Sequence, residues 1–205
     1  MGFYSKQIVP RLIDKMCGTS AMQQGRDAVT AGLSGTVVEI GFGSGLNVAS
    51  YPTEITQVYA VEPSLVGRKL AAPRITESKI PVAYAGLHGE KIDLEDNSCD
   101  GAVCTFTLCT IPGVEQALAE LRRVLKPGGR FHFLEHGLAP DEKTRKWQRR
   151  IDPIEMRLAD GCRLTSDPAE LVKAAGFELE FVHSEYTKGP KPWVFITMGY
   201  AVSPA

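Results

Sequence analysis

The sequence lacks a CxxC pair, a long apolar run, an internal repeat and an excess of charge of either sign, and each absence removes a class of protein. Its five cysteines (Cys17, Cys99, Cys104, Cys109 and Cys162) are odd in number, which argues against a disulfide framework or a structural zinc site and for a reducing, cytoplasmic setting. Lys and Arg number 23 against 24 Asp and Glu, so there is no basic footprint for nucleic acid. No apolar run reaches the roughly 18 to 20 residues that span a bilayer, and the expectation is a chain without an integral membrane segment. What remains, 205 residues with 43% apolar and 23% charged side chains, describes one soluble globular domain.

The chain reads as alternating strands and helices. Residues 3 to 17 place Phe3, Ile8, Leu12, Ile13 and Met16 at helical spacing between Lys6, Arg11 and Lys15, with Pro10 dividing the segment. This stripe is expected to pack on its own domain, with contact to a membrane surface as the alternative. A helix near 20 to 31 leads to a strand at 36 to 40, apolar on both faces as in a central parallel strand. Then come a helix near 45 to 52, a strand at 57 to 61, a helix at 64 to 72, and strands at 82 to 85 and 101 to 108. Val114, Ala117, Leu118, Leu121, Val124 and Leu125 form one helical face. Lys126-Pro127-Gly128-Gly129 ends that helix, and a strand at 130 to 134 follows. Asp167, Pro168 and Glu170 open a helix that Gly176 closes. Strands at 177 to 186 and 193 to 201 are joined by too few residues for a crossover helix, so they must pair antiparallel. The domain divides into an N-terminal helical cap (1–35), a ligand-binding core (36–138), a charged insertion over the substrate site (139–163) carrying Lys143, Arg145, Lys146, Trp147, Arg149 and Arg150, and a C-terminal helix and hairpin (164–205).

Chemistry concentrates where the first strand ends. Glu39-Ile40-Gly41-Phe42-Gly43-Ser44-Gly45 joins strand to helix, and its glycines let backbone approach a ligand closely. Leu46 stands where a dinucleotide fingerprint requires glycine, which disfavours a nicotinamide-linked dehydrogenase. Glu39 suits a cationic amino group and would repel a pyrophosphate. Glu62, closing the next strand, is placed to accept both hydroxyls of a ribose.

These residues resemble motif I and the following acidic position of the class I S-adenosylmethionine-dependent methyltransferases. Asp96-Asn97-Ser98-Cys99-Asp100 and Leu121 to Gly129 resemble two later segments of that family. Val103 to Cys109, Glu135-His136, Trp147-Gln148, Asp152-Pro153, Asp160-Gly161-Cys162 and Gly199 to Val202 resemble its thiol S-methyltransferases. The resemblance implies a Rossmann-like α/β fold: a seven-stranded, mostly parallel sheet with a C-terminal antiparallel hairpin and helices on both faces. It implies S-adenosyl-L-methionine as cofactor, with Glu39, Gly41, Gly43 and Gly45 around its methionine half and Glu62 on its ribose. Gly89 and Glu90 fall at its adenine, with His88 the alternative by one residue of register, and Thr105 falls near the sulfonium.

A small, hydrophobic thiol is the expected acceptor. His136, at the carboxyl end of the fifth strand, is the candidate base, with a structural histidine as the alternative. Asp152 is a second catalytic candidate, or a helix cap before Pro153. Trp147 could wall an acceptor pocket, whereas Cys104 and Cys109 read as buried packing. Methylation of oxygen or nitrogen in a small phenol, quinol or amine, and a non-catalytic cofactor-binding protein, are the competing readings.

Overall fold

The computed structural model describes residues 4–204, apart from the side chains of Ser5, Lys6 and Ala21. Seven strands form one sheet in the order β3-β2-β1-β4-β5-β7-β6. β1 (Gly35–Ile40) lies between β2 (Ile55–Val61) and β4 (Cys99–Thr105), parallel to both. β3 (Val82–Tyr84) extends the parallel set on one side and β5 (Leu125–His136) on the other. β7 (Phe195–Val202) pairs antiparallel with both β5 and β6 (Glu178–Tyr186), as the short link between the last two strands requires.

Helices cover both faces. On one, α4 (Val114–Val124) and α6 (Pro168–Ala174) bury Leu118, Leu121, Val124 and Val172 against Val38, Ile40, Cys104, Phe131 and Phe133. On the other, α2 (Ser20–Thr30) and α3 (Leu65–Glu77) contribute Val29 and Ala71 to a cluster with Val37, Val58, Leu134 and Ile196. Alternate residues of β1 therefore serve two cores, which is why that strand is apolar throughout. Asp167 caps α6 by accepting from the Glu170 amide at 3.2 Å, and Gly176 ends the segment with φ +85°, both as the sequence predicts.

Three local readings need correction. The segment after the glycine loop is a 3-10 turn over Leu46–Ser50, not an α-helix. It is short because Pro52 follows at once, and its buried Asn47 is recruited by polar partners described below. The N-terminal segment begins with a π-helical turn (Tyr4–Ile8) before α1 (Val9–Cys17), with Pro10 in the first turn. Its apolar stripe does not pack as expected. Val9 is buried, but Ile8, Leu12, Ile13 and Met16 are exposed, because α1 meets the body chiefly through α3, where Arg74 pairs with Asp14 at 2.9 Å. Phe3 lies outside the described residues. Finally, the charged segment is one 17-residue helix, α5 (Glu142–Leu158), capped by Asp141, which accepts from the Thr144 amide at 2.9 Å. Pro153 lies inside this helix, so Asp152 is not its cap.

Buried Gln148 ties α5 to the body. Its Oε1 accepts from the Ala139 amide at 3.0 Å, and its Nε2 donates to the Gly137 and Pro192 carbonyls, both at 3.1 Å. Trp193 Nε1 adds a bond to Glu155 at 3.2 Å.

Candidate active site

Every parallel strand ends at the same edge of the sheet. That edge gathers the Gly41–Gly45 loop after β1, Glu62 after β2, the Gly86–Glu90 loop after β3, Thr105 to Thr107 at the end of β4, and His136 at the end of β5. In open α/β sheets this is where ligands bind.

Gly41 adopts φ +70°, and a Cβ there would fall 2.0 Å from Thr107 Oγ1, so only glycine lets the loop pass under β4. Gly43, at φ +57°, is the opposite case. A Cβ on it would meet nothing nearer than the Gly41 carbonyl at 3.7 Å. The loop thus presents bare backbone to open space, a cradle for a ligand.

Glu62 helps shape that cradle. It is 6% exposed, and its two carboxylate oxygens accept from the amides of Gly43 and Ser64, each at 2.6 Å. Burial raises its pKa, and these amides pull it back toward ionisation. Arg68 holds the turn by donating to the Glu62 and Gly86 carbonyls at 2.8 and 2.7 Å, and it stacks on Tyr84 at 4.1 Å.

Glu39 is almost completely buried. It accepts from Asn47 Nδ2 at 3.0 Å and from the Tyr51 hydroxyl. Desolvation raises its pKa to about 7 despite those bonds. Asn47 also bonds Thr105, whose hydroxyl accepts from Asn47 Nδ2 at 3.2 Å and from Arg26 Nη1 at 2.9 Å. None of Asn47, Tyr51 and Arg26 was singled out from sequence. Asn47 and Tyr51 share the turn just beyond the glycines and Arg26 lies on α2, and no spacing pattern links the three.

The loop after β3 lies at the same edge of the sheet. Gly89 is buried, its Cβ position 3.0 Å from Ile40 Cγ2, while Glu90 Oε1 accepts from the Gly113 amide at 3.3 Å, at the start of α4. His88 is exposed and its carbonyl accepts from the Lys91 amide at 3.1 Å.

Beyond Thr105 the chain turns through Phe106 at φ +53°, a strained backbone for a bulky residue. Glu135, another residue the sequence reading left without a role, holds that turn. Its Oε1 accepts from the amides of Thr107 and Leu108 at 2.9 and 3.2 Å and from the Cys104 thiol at 3.3 Å. Burial lifts its pKa to about 7, opposed by these donors. Cys104 and Cys109 are buried as expected, and the Cys109 and Cys162 sulfurs are 3.4 Å apart.

His136 is half-buried with its ring 5.1 Å from that of Phe106. Its Nδ1 is buried without a partner. Desolvation lowers its pKa from the ordinary imidazole value, partly offset by a backbone hydrogen bond at Trp193, so burial favours the neutral ring. Asp152 is not brought into this group as a free carboxylate. One oxygen accepts from the Leu164 amide at 2.6 Å and the other from Thr165 Oγ1 at 2.8 Å, so it braces the turn beyond α5. Trp147 is half-exposed, with the Arg150 guanidinium 5.7 Å from its ring.

A family profile described as a methyltransferase domain matches residues 38–133. The human thiol S-methyltransferase TMT1A is 31% identical over 84% of this chain and 73% of its own length. The Rattus norvegicus thiol S-methyltransferase TMT1B is 33% identical over 82% of this chain and 70% of its own. Among solved structures, an Aquifex aeolicus SAM-dependent methyltransferase superposes with a TM-score of 0.64 at 18% identity, covering 94% of this chain and 97% of that one. The [4+2]-cyclase SpnF superposes at 0.71 with 19% identity, covering 90% and 82%. One fold thus carries more than one chemistry.

Proposed function

This chain belongs to the class I S-adenosylmethionine-dependent methyltransferases, and from that premise we propose that it methylates the sulfur of a small hydrophobic thiol. S-adenosylmethionine is its cofactor, and the residues present fit it: the open cradle at Gly43 and the buried polar groups of Glu39 and Arg26 suit a nucleoside with an amino-acid tail. Glu39 and the Gly41 to Gly45 backbone would hold the tail, Glu62 the ribose, and the Gly89-Glu90 turn the adenine, with Thr105 beside the sulfur. The cofactor supplies a methyl group already activated by positive sulfur. The protein's task is to align the acceptor, exclude water and take up the thiol proton. His136 is the group for that last step, with an unpartnered Nδ1 and a pKa lowered by burial. Asp152 acts indirectly, by fixing Leu164 and Thr165 in the segment between α5 and α6 that is proposed to cover the acceptor.

The observation that carries the thiol assignment is the 31–33% identity to thiol S-methyltransferases over more than four fifths of the chain. The acceptor is taken to be a small molecule, and no described helix is long and apolar enough to cross a bilayer. Product mass analysis across panels of thiols, phenols and amines is expected to show thioether formation from apolar thiols. Turnover confined to phenols or amines would refute the assignment.

Glu62 gives a binding prediction. Replacing it by alanine removes two charge-assisted bonds to a ribose and also releases the Gly43 amide, so cofactor affinity should fall by about 1.5 to 3 kcal/mol. Calorimetry with S-adenosylhomocysteine reads this directly, and an unchanged Kd would leave Glu62 as a loop brace alone.

A further inference from the structure

Two buried cysteines sit sulfur to sulfur on segments that are 53 residues apart in sequence. Cys109 lies in the turn between β4 and α4, and Cys162 lies in the segment between α5 and α6 that is proposed to cover the acceptor. Their sulfurs are 3.4 Å apart, so small side-chain rotations would bring them to the bonded distance of about 2.05 Å. The backbones already meet beside them. The Arg163 amide donates to the Cys109 carbonyl at 3.1 Å, and a Cβ on Gly161 would lie 3.3 Å from the Thr110 carbonyl.

The covering segment is fastened to the sheet edge at few other points. It turns through Asp160 at φ +51° and Gly161 at φ +98°. The amides of Gly161 and Cys162 return to the Met156 and Ala159 carbonyls at 2.8 and 3.1 Å, at the end of α5. Leu164 and Thr165 are held by Asp152, also on α5. Apart from the buried Leu164 side chain, the ties of residues 159–165 to the end of β4 converge on Cys109. A covalent bond at that point would decide whether the segment can lift.

We propose that Cys109 and Cys162 are a reversible dithiol that low-molecular-weight disulfides oxidise, and that the resulting bond pins the covering segment shut. The Cys162 thiolate attacks one sulfur of R–S–S–R, forming a mixed disulfide and releasing one R–S⁻. The Cys109 thiolate then displaces the second R–S⁻ and closes the protein bond. Two protein thiols are oxidised, one small disulfide is reduced, and the two protein protons end on the two released thiols. Cys162 reacts first because it rides on the segment that moves. The Cys109 thiol keeps its proton more tightly, since its hydrogen bond with Cys162 and its burial push its pKa well above the ordinary value. With the segment seated both residues are buried, so exchange follows its opening.

Such a bond would match the enzyme to the state of its acceptor, a point that rests on the thiol assignment above. An oxidised acceptor has no thiolate to receive a methyl group, and it is also the oxidant that closes the bond. A reduced acceptor runs the same exchange backwards and frees the segment.

Bis(hydroxyethyl) disulfide is the probe. After wild-type protein is incubated with it and alkylated, peptide mass analysis without reductant should find the Cys109 and Cys162 peptides joined with loss of two hydrogens, and Cys99 and Cys104 free. Amide hydrogen exchange over 159–165 should slow at least about tenfold in the linked form and recover with dithiothreitol. Linked enzyme given a thiol acceptor should show a lag in product formation that shortens as acceptor concentration rises. C109S and C162S, each compared with its own untreated rate, should show no lag after the same treatment, and either serves if the other does not fold. Absence of the link in the wild type, or a mixed disulfide on Cys17 in its place, would overturn the dithiol. A complete link that leaves hydrogen exchange unchanged, or that gives no lag, would overturn the pinning. A chain that forms the link and slows its exchange but methylates no thiol would uphold the dithiol and overturn the thiol assignment.

Discussion

Replacing His136 by asparagine is expected to lower thiol turnover about a hundredfold, the usual scale of general-base assistance, while cofactor affinity stays within a few fold. Asparagine keeps a polar group at the end of β5 but cannot take a proton. A free thiol ionises near pH 8.5, so without a base the rate depends on the fraction already ionised. The two enzymes should therefore differ in the shape of their pH–rate profiles. In the wild type the rate climbs as the imidazole loses its proton and levels at a lower pH than an ordinary imidazole would give, because burial depresses the His136 pKa. In the variant it continues to climb toward about 8.5. Wild-type rates in the variant would leave alignment and desolvation as the whole mechanism.

The largest effect on stability should come from Glu135. Truncating it to alanine strips the shared acceptor from the Thr107 and Leu108 amides and the Cys104 thiol, all in the interior, at an expected cost of about 3 to 5 kcal/mol. In a chain of this size that lowers Tm by about 10 °C. Glutamine keeps an oxygen for the same donors and should cost far less.

Glu135 also carries a pH effect. Glu135 and Glu39 both have folded-state pKa values of about 7 against an ordinary 4.5. Between those limits the native state holds protons that the unfolded chain has released, so stability falls as pH rises from about 4.5 to about 7 and then levels. E135Q should remove its share of that slope. Thermal unfolding across this range checks both, and a slope unchanged in E135Q would mean the Glu135 carboxyl does not titrate there.

What could be read from sequence was what the chain encodes locally. The apolar strand running into glycines, the Asp167-to-Glu170 cap and the short link between the last strands each settle their geometry within a few residues. The polar network was hidden because its members are distant: Arg26 meets Thr105 79 residues away, and Glu135 meets Thr107 from a neighbouring strand. Periodicity marked α1 as amphipathic but could not say which face finds a partner, and only Val9 of its apolar residues is buried. For Asp152, proximity to Pro153 suggested a helix start. The stronger cap was Asp141, and proline was accommodated inside the helix it begins.

The last strand in chain order sits inside the sheet, between β5 and β6. During synthesis β1 to β5 can assemble as a parallel unit while one side of β5 has no neighbour, and the row of amides and carbonyls along Arg130 to His136 waits for Ile196 to Val202. β6 emerges first but is not the strand that fits there. Until β7 arrives and intercalates, the nascent chain therefore carries a long open edge flanked by Phe131 and Phe133, the kind of surface on which other chains pair and chaperones act.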